Sequence, residues 1–255
     1  TGYAGGIFPR GQHHYGQWMV NHFRRVIESA ARHRIAIDGH EVIKPTGEER
    51  TWPNMMTREA ARGMEYNAWS EGNPPEHTTV LPFTRLVPGP MDYTPGIFDI
   101  RFDPTMGRST HTTLANQLAL YVVLWSPLQM AADLIENYEG EPAFAFIEAV
   151  PCDWDETRGL DCAIGDHATI ARRRGREWFM GSITDENART LRVPLSFLEP
   201  GTTYVARVYS DGPGANPDTD PTALTIREES VTAASTLTIE LAPGGGQAVQ
   251  FTPAR

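Results

Sequence analysis

The sequence predicts two units: an α/β unit over residues 1–165, and an all-β antiparallel sandwich over residues 166–255. Two observations carry this. In the first two-thirds, segments with apolar residues three and four apart alternate with short apolar runs that end in polar loops. Strand, polar loop and helix in repetition give a parallel sheet or a β/α barrel. From Asp166 onward the period changes to two, with glycine and proline clusters between the runs. That texture belongs to a sandwich of about seven strands.

The elements follow in order. Gln17 to His33 is a helix, because Met19, Val20, Phe23, Val26, Ile27 and Ala30 recur at helical spacing. Ile35-Ala-Ile37 is a short buried strand, and Asp38-Gly-His-Glu41 lies just past its end. Functional residues of barrels occupy that position. Thr57 caps a short helix from Arg58 to Arg62, and Gly63 ends it. Leu81 to Val87 and Ile97 to Phe102 are strand or loop pieces broken by prolines. Leu114 to Leu124 is a long helix, Gln129 to Leu134 a short strand, and Phe144 to Val150 the last helix of this unit.

In the second unit, Thr169-Ile-Ala-Arg, Glu177-Trp-Phe-Met-Gly-Ser-Ile, Leu191-Arg-Val-Pro-Leu and Thr203-Tyr-Val-Ala-Arg-Val-Tyr alternate apolar and polar residues. Ala223-Leu-Thr-Ile, Ser235-Thr-Leu-Thr-Ile-Glu-Leu and Gln247-Ala-Val-Gln-Phe do the same. Asp211 to Pro221 is a loop within this unit.

Net charge is −10, from 32 acidic and 22 basic residues. A nucleic-acid binder needs a clustered basic surface, and the one basic run, Arg172-Arg-Arg-Gly-Arg176, reads as a solvated turn. No window reaches the ~18 apolar residues that a membrane span requires. Cys152 and Cys162 lack a CxxC spacing, which leaves a disulfide and two free thiols both open.

The chemistry concentrates between Asp38 and Tyr66, where Glu41, Glu59 and Glu65 lie among His40, Lys44, Arg50 and Arg62. Hydrolysis of a glycosidic bond takes one carboxylic acid to protonate the leaving oxygen. It takes a second carboxylate to attack the sugar or activate water. Glu59 and Glu65 on one continuous helix would point about 120° apart, so they converge only if Gly63 breaks the helix. Three clustered carboxylates repel one another, so one keeps a proton or a cation sits among them; all-oxygen ligation favours Ca²⁺ over zinc. Spacing alone equally describes ordinary glutamates on a solvated loop.

Trp18, Trp52, Trp69, Tyr15 and Tyr66 are candidates for stacking on sugar faces, although aromatic residues more often serve the core. His40 is followed four residues later by Lys44, which rules out HExxH, and no GxSxG or P-loop occurs.

Three blocks give the chain a family likeness. They are Ile7-Phe-Pro-Arg-Gly-Gln-His-His-Tyr-Gly-Gln-Trp-Met-Val-Asn-His22; His40-Glu-Val-Ile-Lys-Pro-Thr-Gly with Arg50-Thr-Trp-Pro-Asn and Glu59-Ala-Ala-Arg-Gly-Met-Glu-Tyr66; and Leu81-Pro-Phe-Thr-Arg with Gly89-Pro-Met-Asp-Tyr-Thr-Pro-Gly96. Through them the chain resembles glycoside hydrolase family 97, a group of α-glucosidases and α-galactosidases. The resemblance implies that residues 1–165 are the C-terminal half of a (β/α)8 barrel, from strand four onward. Residues 166–255 would then be the C-terminal β domain, and part of the barrel would precede Thr1. That accounts for a segment shorter than the ~250 residues of a whole barrel.

By the same resemblance, Glu65 corresponds to the general acid and Glu41 to the base of inverting members. Glu41, Glu59 and Glu65 correspond to Ca²⁺ ligands, and His40 to a substrate contact. Retaining members carry a nucleophilic aspartate where this chain has Gly2, so the likeness is to the inverting, α-glucosidase branch. Gln12 stands where related chains carry glutamate. The implied protein is a periplasmic or secreted, Ca²⁺-dependent glycosidase acting on α-glucoside oligosaccharides, with neither nucleic acid nor membrane as a partner. This piece alone would be inactive. A retaining α-galactosidase and a non-catalytic carbohydrate-binding fragment are the alternatives.

Overall fold

The computed structural model describes residues 9–254. The chain opens with helix α1 (Gln17–Arg32), whose buried residues Met19, Phe23 and Ile27 recur every four positions. That stripe packs on Val42 and Ile43 at one end and on Ile37 and Met55 at the other. Strand β1 (Ile37–Gly39) pairs in parallel with β2 (Met55–Arg58). The strand lies slightly downstream of the predicted Ile35–Ile37, and Ile35 is exposed.

The predicted helix Arg58–Arg62 does not form. Met55 to Arg58 is instead a strand, held between β1 and a parallel bridge from Arg58 to Met91. The Glu59 amide continues the ladder by donating to the Gly39 carbonyl at 2.8 Å. Local helix preference in Glu-Ala-Ala-Arg therefore loses to tertiary pairing. Thr57 is a buried strand residue, not a cap. Gly63 has a different role from the one expected. A Cβ there would lie 2.9 Å from Glu59 Oε1, so the glycine makes room for that carboxylate.

Helix α2 (Tyr66–Trp69) and helix α3 (Pro75–Val80) follow. Leu81–Phe83 is a single 3-10 turn and Ile97–Phe102 is bends and turns, so neither segment is a strand. The Met91 amide donates to the Trp125 carbonyl at 3.2 Å, tying this segment to the chain just past the second long helix. Gln129–Leu134, predicted as a strand, is irregular. Its backbone bonds to side chains in place of a strand partner: Tyr121 donates to the Met130 carbonyl, the Asp133 amide donates to Tyr138 Oη, and the Leu134 amide donates to Asp133 Oδ1. Short helices α5 (Ile135–Tyr138) and α6 (Phe144–Ala149) end this part.

Ahead of these two, after the Leu81–Phe83 turn, lies α4 (Leu114–Val123), every residue of which is buried. Thr113 caps it by accepting from the Asn116 amide. The helix shares one core with Leu81, Met91 and Phe146 and with Ile170, Phe179, Ile183 and Ala248 of the β part, and Phe146 itself meets Phe179 and Tyr209. Its two polar residues are buried as well, Asn116 donating to Gly245 O and Gln117 to Thr112 Oγ1, as a helix enclosed all round requires.

The β part begins at Glu156, ahead of the texture change at Asp166. Its strands are β3 (Glu156–Ala163), β4 (His167–Arg174), β5 (Glu177–Thr184), β6 (Arg189–Pro194), β7 (Tyr204–Asp211), β8 (Leu224–Val231), β9 (Thr236–Leu241) and β10 (Gly246–Pro253). They form a six-stranded antiparallel sheet, β3-β4-β5-β10-β7-β8, and a two-stranded sheet, β6-β9. Between the sheets lies a core that includes Trp178, Met180, Val208, Ile239, Val249 and Phe251. The opposite face of the larger sheet carries α4. Gly181 and Gly246 permit this approach, because a Cβ on either would lie about 2.5 Å from helix backbone: 2.5 Å from Ala119 O and 2.4 Å from Asn116 Cα.

Arg172, read above as part of a solvated turn, is 8% exposed and lies in β4. Its Nε donates to the Val122 carbonyl at 2.6 Å, closing the C-terminal end of α4. Burial lowers its pKa to about 10. Cys152 and Cys162 are both free thiols. No helix among the described residues is long and apolar enough to cross a membrane.

Candidate active site

His40 follows β1, and Asp92 follows the Met91 bridge, so the parallel pairing brings the two side by side. The wholly buried Asp92 carboxylate contacts His40 Nε2 at 2.7 Å. The other ring nitrogen, Nδ1, lies 3.8 Å from Glu59 Oε2 and 3.6 Å from Glu65 Oε1. Ligand atoms of His40, Glu59 and Glu65 all fall within 4.8 Å of one another, and so do those of Asp38, His40 and Asp92.

Glu41 lines the same cleft as Glu59 and Glu65, a space of about 320 Å³. Tyr15, Tyr66 and Trp69 also face this cleft, and Tyr15 and Trp69 are largely exposed. Trp18 and Trp52 belong to the packing around α1 instead. Glu41 and Ala60 hold left-handed backbone angles, with φ 47° and 45°, which non-glycine residues seldom adopt and which cluster at functional sites. Gly2 lies outside the described residues. Gln12 sits in the exposed turn whose amide donates to Pro9 O.

The electrostatics follow from burial and crowding. The hydrogen bond to Asp92 raises the His40 pKa to about 9, against the opposing effect of burial, and Glu59 adds to the rise. Burial, then the hydrogen bond and charge of Asp92, raises Asp38 to about 7. Burial also raises Glu59, His40 offsets part of that, and Glu65 and Glu41 add repulsion. A positive charge on the imidazole therefore sits between two sets of carboxylates.

Sequence reading placed Asp38 at a functional position without giving it a role, and missed Asp92 and Arg85. Asp38 and Asp92 complete the histidine's surroundings, and Asp92 lies inside the block Gly89-Pro-Met-Asp-Tyr-Thr-Pro-Gly96. Arg85, last residue of Leu81-Pro-Phe-Thr-Arg, is buried and donates to the carbonyls of Arg58, Glu59, Gly89 and Pro90. It ties together the strand ends that carry Glu59 and Asp92. A buried arginine with only carbonyl partners leaves no trace in spacing or periodicity.

Comparison with known proteins identifies relatives of the chain. The family model for glycoside hydrolase 97 matches residues 1–61, and the model described as glycosyl-hydrolase 97 C-terminal, oligomerisation, matches residues 153–252. A retaining alpha-galactosidase of Bacteroides thetaiotaomicron is 36% identical over 238 residues, 89% of this chain and 35% of that protein. A probable retaining alpha-galactosidase of Streptomyces bingchenggensis is 37% identical over 192 residues, covering 75% and 28%. A family 97 enzyme from Pseudoalteromonas sp. strain K8, solved with acarbose, superposes with a TM-score of 0.91 at 48% identity. That match covers 95% of this chain and 38% of the enzyme. The chain spans roughly a third of the length of these curated relatives.

The fold and these matches place the chain among the glycoside hydrolases. It belongs to glycoside hydrolase family 97 and corresponds to the C-terminal portion of its members.

Proposed function

We propose that the protein carrying this chain hydrolyses terminal α-glucosidic bonds of oligosaccharides with inversion. The observation that carries the reading is the meeting of Glu41, Glu59, Glu65 and His40 at one cleft with exposed aromatic walls. Glu65, on the open side of the cleft, gives its proton to the glycosidic oxygen as that bond breaks. Glu41 takes a proton from the water that attacks the opposite face of the sugar ring. Inversion needs roughly 6.5–9.5 Å between the two carboxyl groups to admit that water. His40, held by Asp92 on one ring nitrogen, faces Glu59 and Glu65 with the other, and its contact to a sugar hydroxyl would be made on that side. The parallel series β1, β2 and Met91 supports reading residues 1–165 as the second half of a (β/α)8 barrel, completed by a segment of the protein upstream. Residues 166–255, with the strand β3 ahead of them, are the C-terminal β domain.

The donor set fits a calcium ion. Three carboxylates on one cleft supply only oxygen ligands, and repulsion from Glu65 and Glu41 adds to the burial that raises Glu59. Glu41, Glu59 and Glu65 would hold it, and bound Ca²⁺ would keep its ligand carboxylates ionised. The α-glucosidase assignment draws on the Pseudoalteromonas enzyme, solved with acarbose and with panose, which is more similar to this chain than the two α-galactosidases are. We also place the protein in the periplasm or outside the cell; fractionation of the host tests this.

The test is hydrolysis of maltose by the full-length protein with Ca²⁺, followed by NMR of the product anomer. Inverted product and loss of turnover in Glu65→Gln, with sugar binding kept, support the reading. A retaining α-galactosidase is the second reading, favoured by the names of the two curated relatives. Galactoside cleavage with retained anomer would establish it. Sugar binding without any turnover would establish a binding role instead.

A further inference from the structure

We propose that a second cavity, between the 71–75 loop and three loops of the β part, is an oligosaccharide-binding subsite continuous with the glutamate cleft. The proposal rests on the glycosidase reading above. The cavity measures about 560 Å³, within the ~300–1,000 Å³ of small-molecule sites. Its walls include Arg62, Glu71, His111, Glu186, Asn216 and Asp218. Arg62 is the shared wall: it lines the glutamate cleft as well, with its guanidinium 4.2 Å above the Tyr66 ring.

The walls are fixed before any ligand arrives. Gly244 donates to Asp185 O at 2.7 Å and accepts from the Thr113 amide at 3.1 Å. Asn216 Oδ1 accepts from the amides of Asp218 and Thr219, and Arg101 donates to the Asp218 carbonyl. His111 Nε2 lies 2.7 Å from the Glu71 carbonyl. Gly72, with φ +93°, packs against Asn67 and His111, so neither loop has slack.

Two of the carboxylates that line the space, Glu71 and Asp218, are nevertheless uncommitted, and Arg62 is held by its stacking on Tyr66, whereas Glu186 accepts from the Glu76 amide. Among the described residues, no hydrogen bond or ion pair holds the Glu71 and Asp218 carboxylates or the Arg62 guanidinium. Three carboxylates against one guanidinium repel an anionic ligand. A neutral polyol suits them: its hydroxyls donate to carboxylates and accept from arginine, and its C–H faces lie on Pro74, Pro217 and Pro243. A glucan too long for the glutamate cleft would pass Arg62 into this space. The β domain then contributes to chain-length preference.

The experiment compares Asp218→Ala and Glu71→Ala with wild type in the full-length protein, on maltose and on maltopentaose. Each removes one hydrogen bond to a charged group, so KM for maltopentaose should rise about tenfold, with kcat/KM for maltose unchanged within about twofold. No change on the long substrate, or equal losses on both, overturns the subsite. A wild type that leaves both maltose and maltopentaose intact removes the α-glucosidase reading, and this inference with it.

Discussion

Asp92, with no exposed surface, fixes His40 at 2.7 Å and thereby aims the other ring nitrogen at Glu59 and Glu65. The pair is 52 residues apart in sequence and joined by parallel backbone pairing. Asp92→Asn keeps the shape and removes the charge that orients the ring. Turnover by the full-length protein should fall roughly 10–100-fold, the usual cost of losing an orienting partner, with the circular dichroism spectrum unchanged. Activity within twofold of wild type would show that His40 needs no such support.

Arg172 replaces water at the end of a helix enclosed on both sides. Arg172→Leu leaves the Val122 carbonyl buried without a donor, at a cost of about 1–3 kcal/mol. Urea unfolding should show the loss as a lower midpoint. A neutral effect would mean that the carbonyl finds water.

Gly181 sets the distance between α4 and the sheet. In Gly181→Ala the new methyl meets Ala119 O at 2.5 Å, and Val122 and Val123 at 3.0 Å. Backbone cannot yield as a side chain does, so about 1–3 kcal/mol of overpacking follows. Gly159→Ala, whose nearest neighbour is Cys162 Sγ at 3.8 Å, is the control and should unfold as wild type does.

Asp211 couples stability to pH. Burial raises its pKa to about 6, although Thr113 and the amides of Ala242 and Gly246 donate to it. The folded state therefore holds this proton more tightly than the unfolded chain does. The resulting stabilisation is complete below about 4, the unfolded carboxyl value, and is lost as pH rises through about 6. Asp211→Asn should flatten that part of the curve of thermal midpoint against pH; an unaltered slope would assign it to another group.

The sequence by itself determined the elements whose pattern is local. The stripe Met19, Phe23, Ile27 marks α1, the long apolar stretch interrupted only by Asn116 and Gln117 marks α4, strict alternation marks β9, and apolar runs between turn residues mark β5, β7 and β10. It also marked Glu41, Glu59, Glu65 and His40, which lie close together along the chain. Tertiary structure alone decided that Met55–Arg58 is a strand, since its hydrogen-bond partners come from Ile37–Gly39 and Met91. It decided equally that Asp92 serves His40, that Arg85 stitches strand ends, and that Arg172 is a buried helix cap. Those roles depend on contacts across dozens of residues, and periodicity carries no information about which distant segments a folded chain brings together.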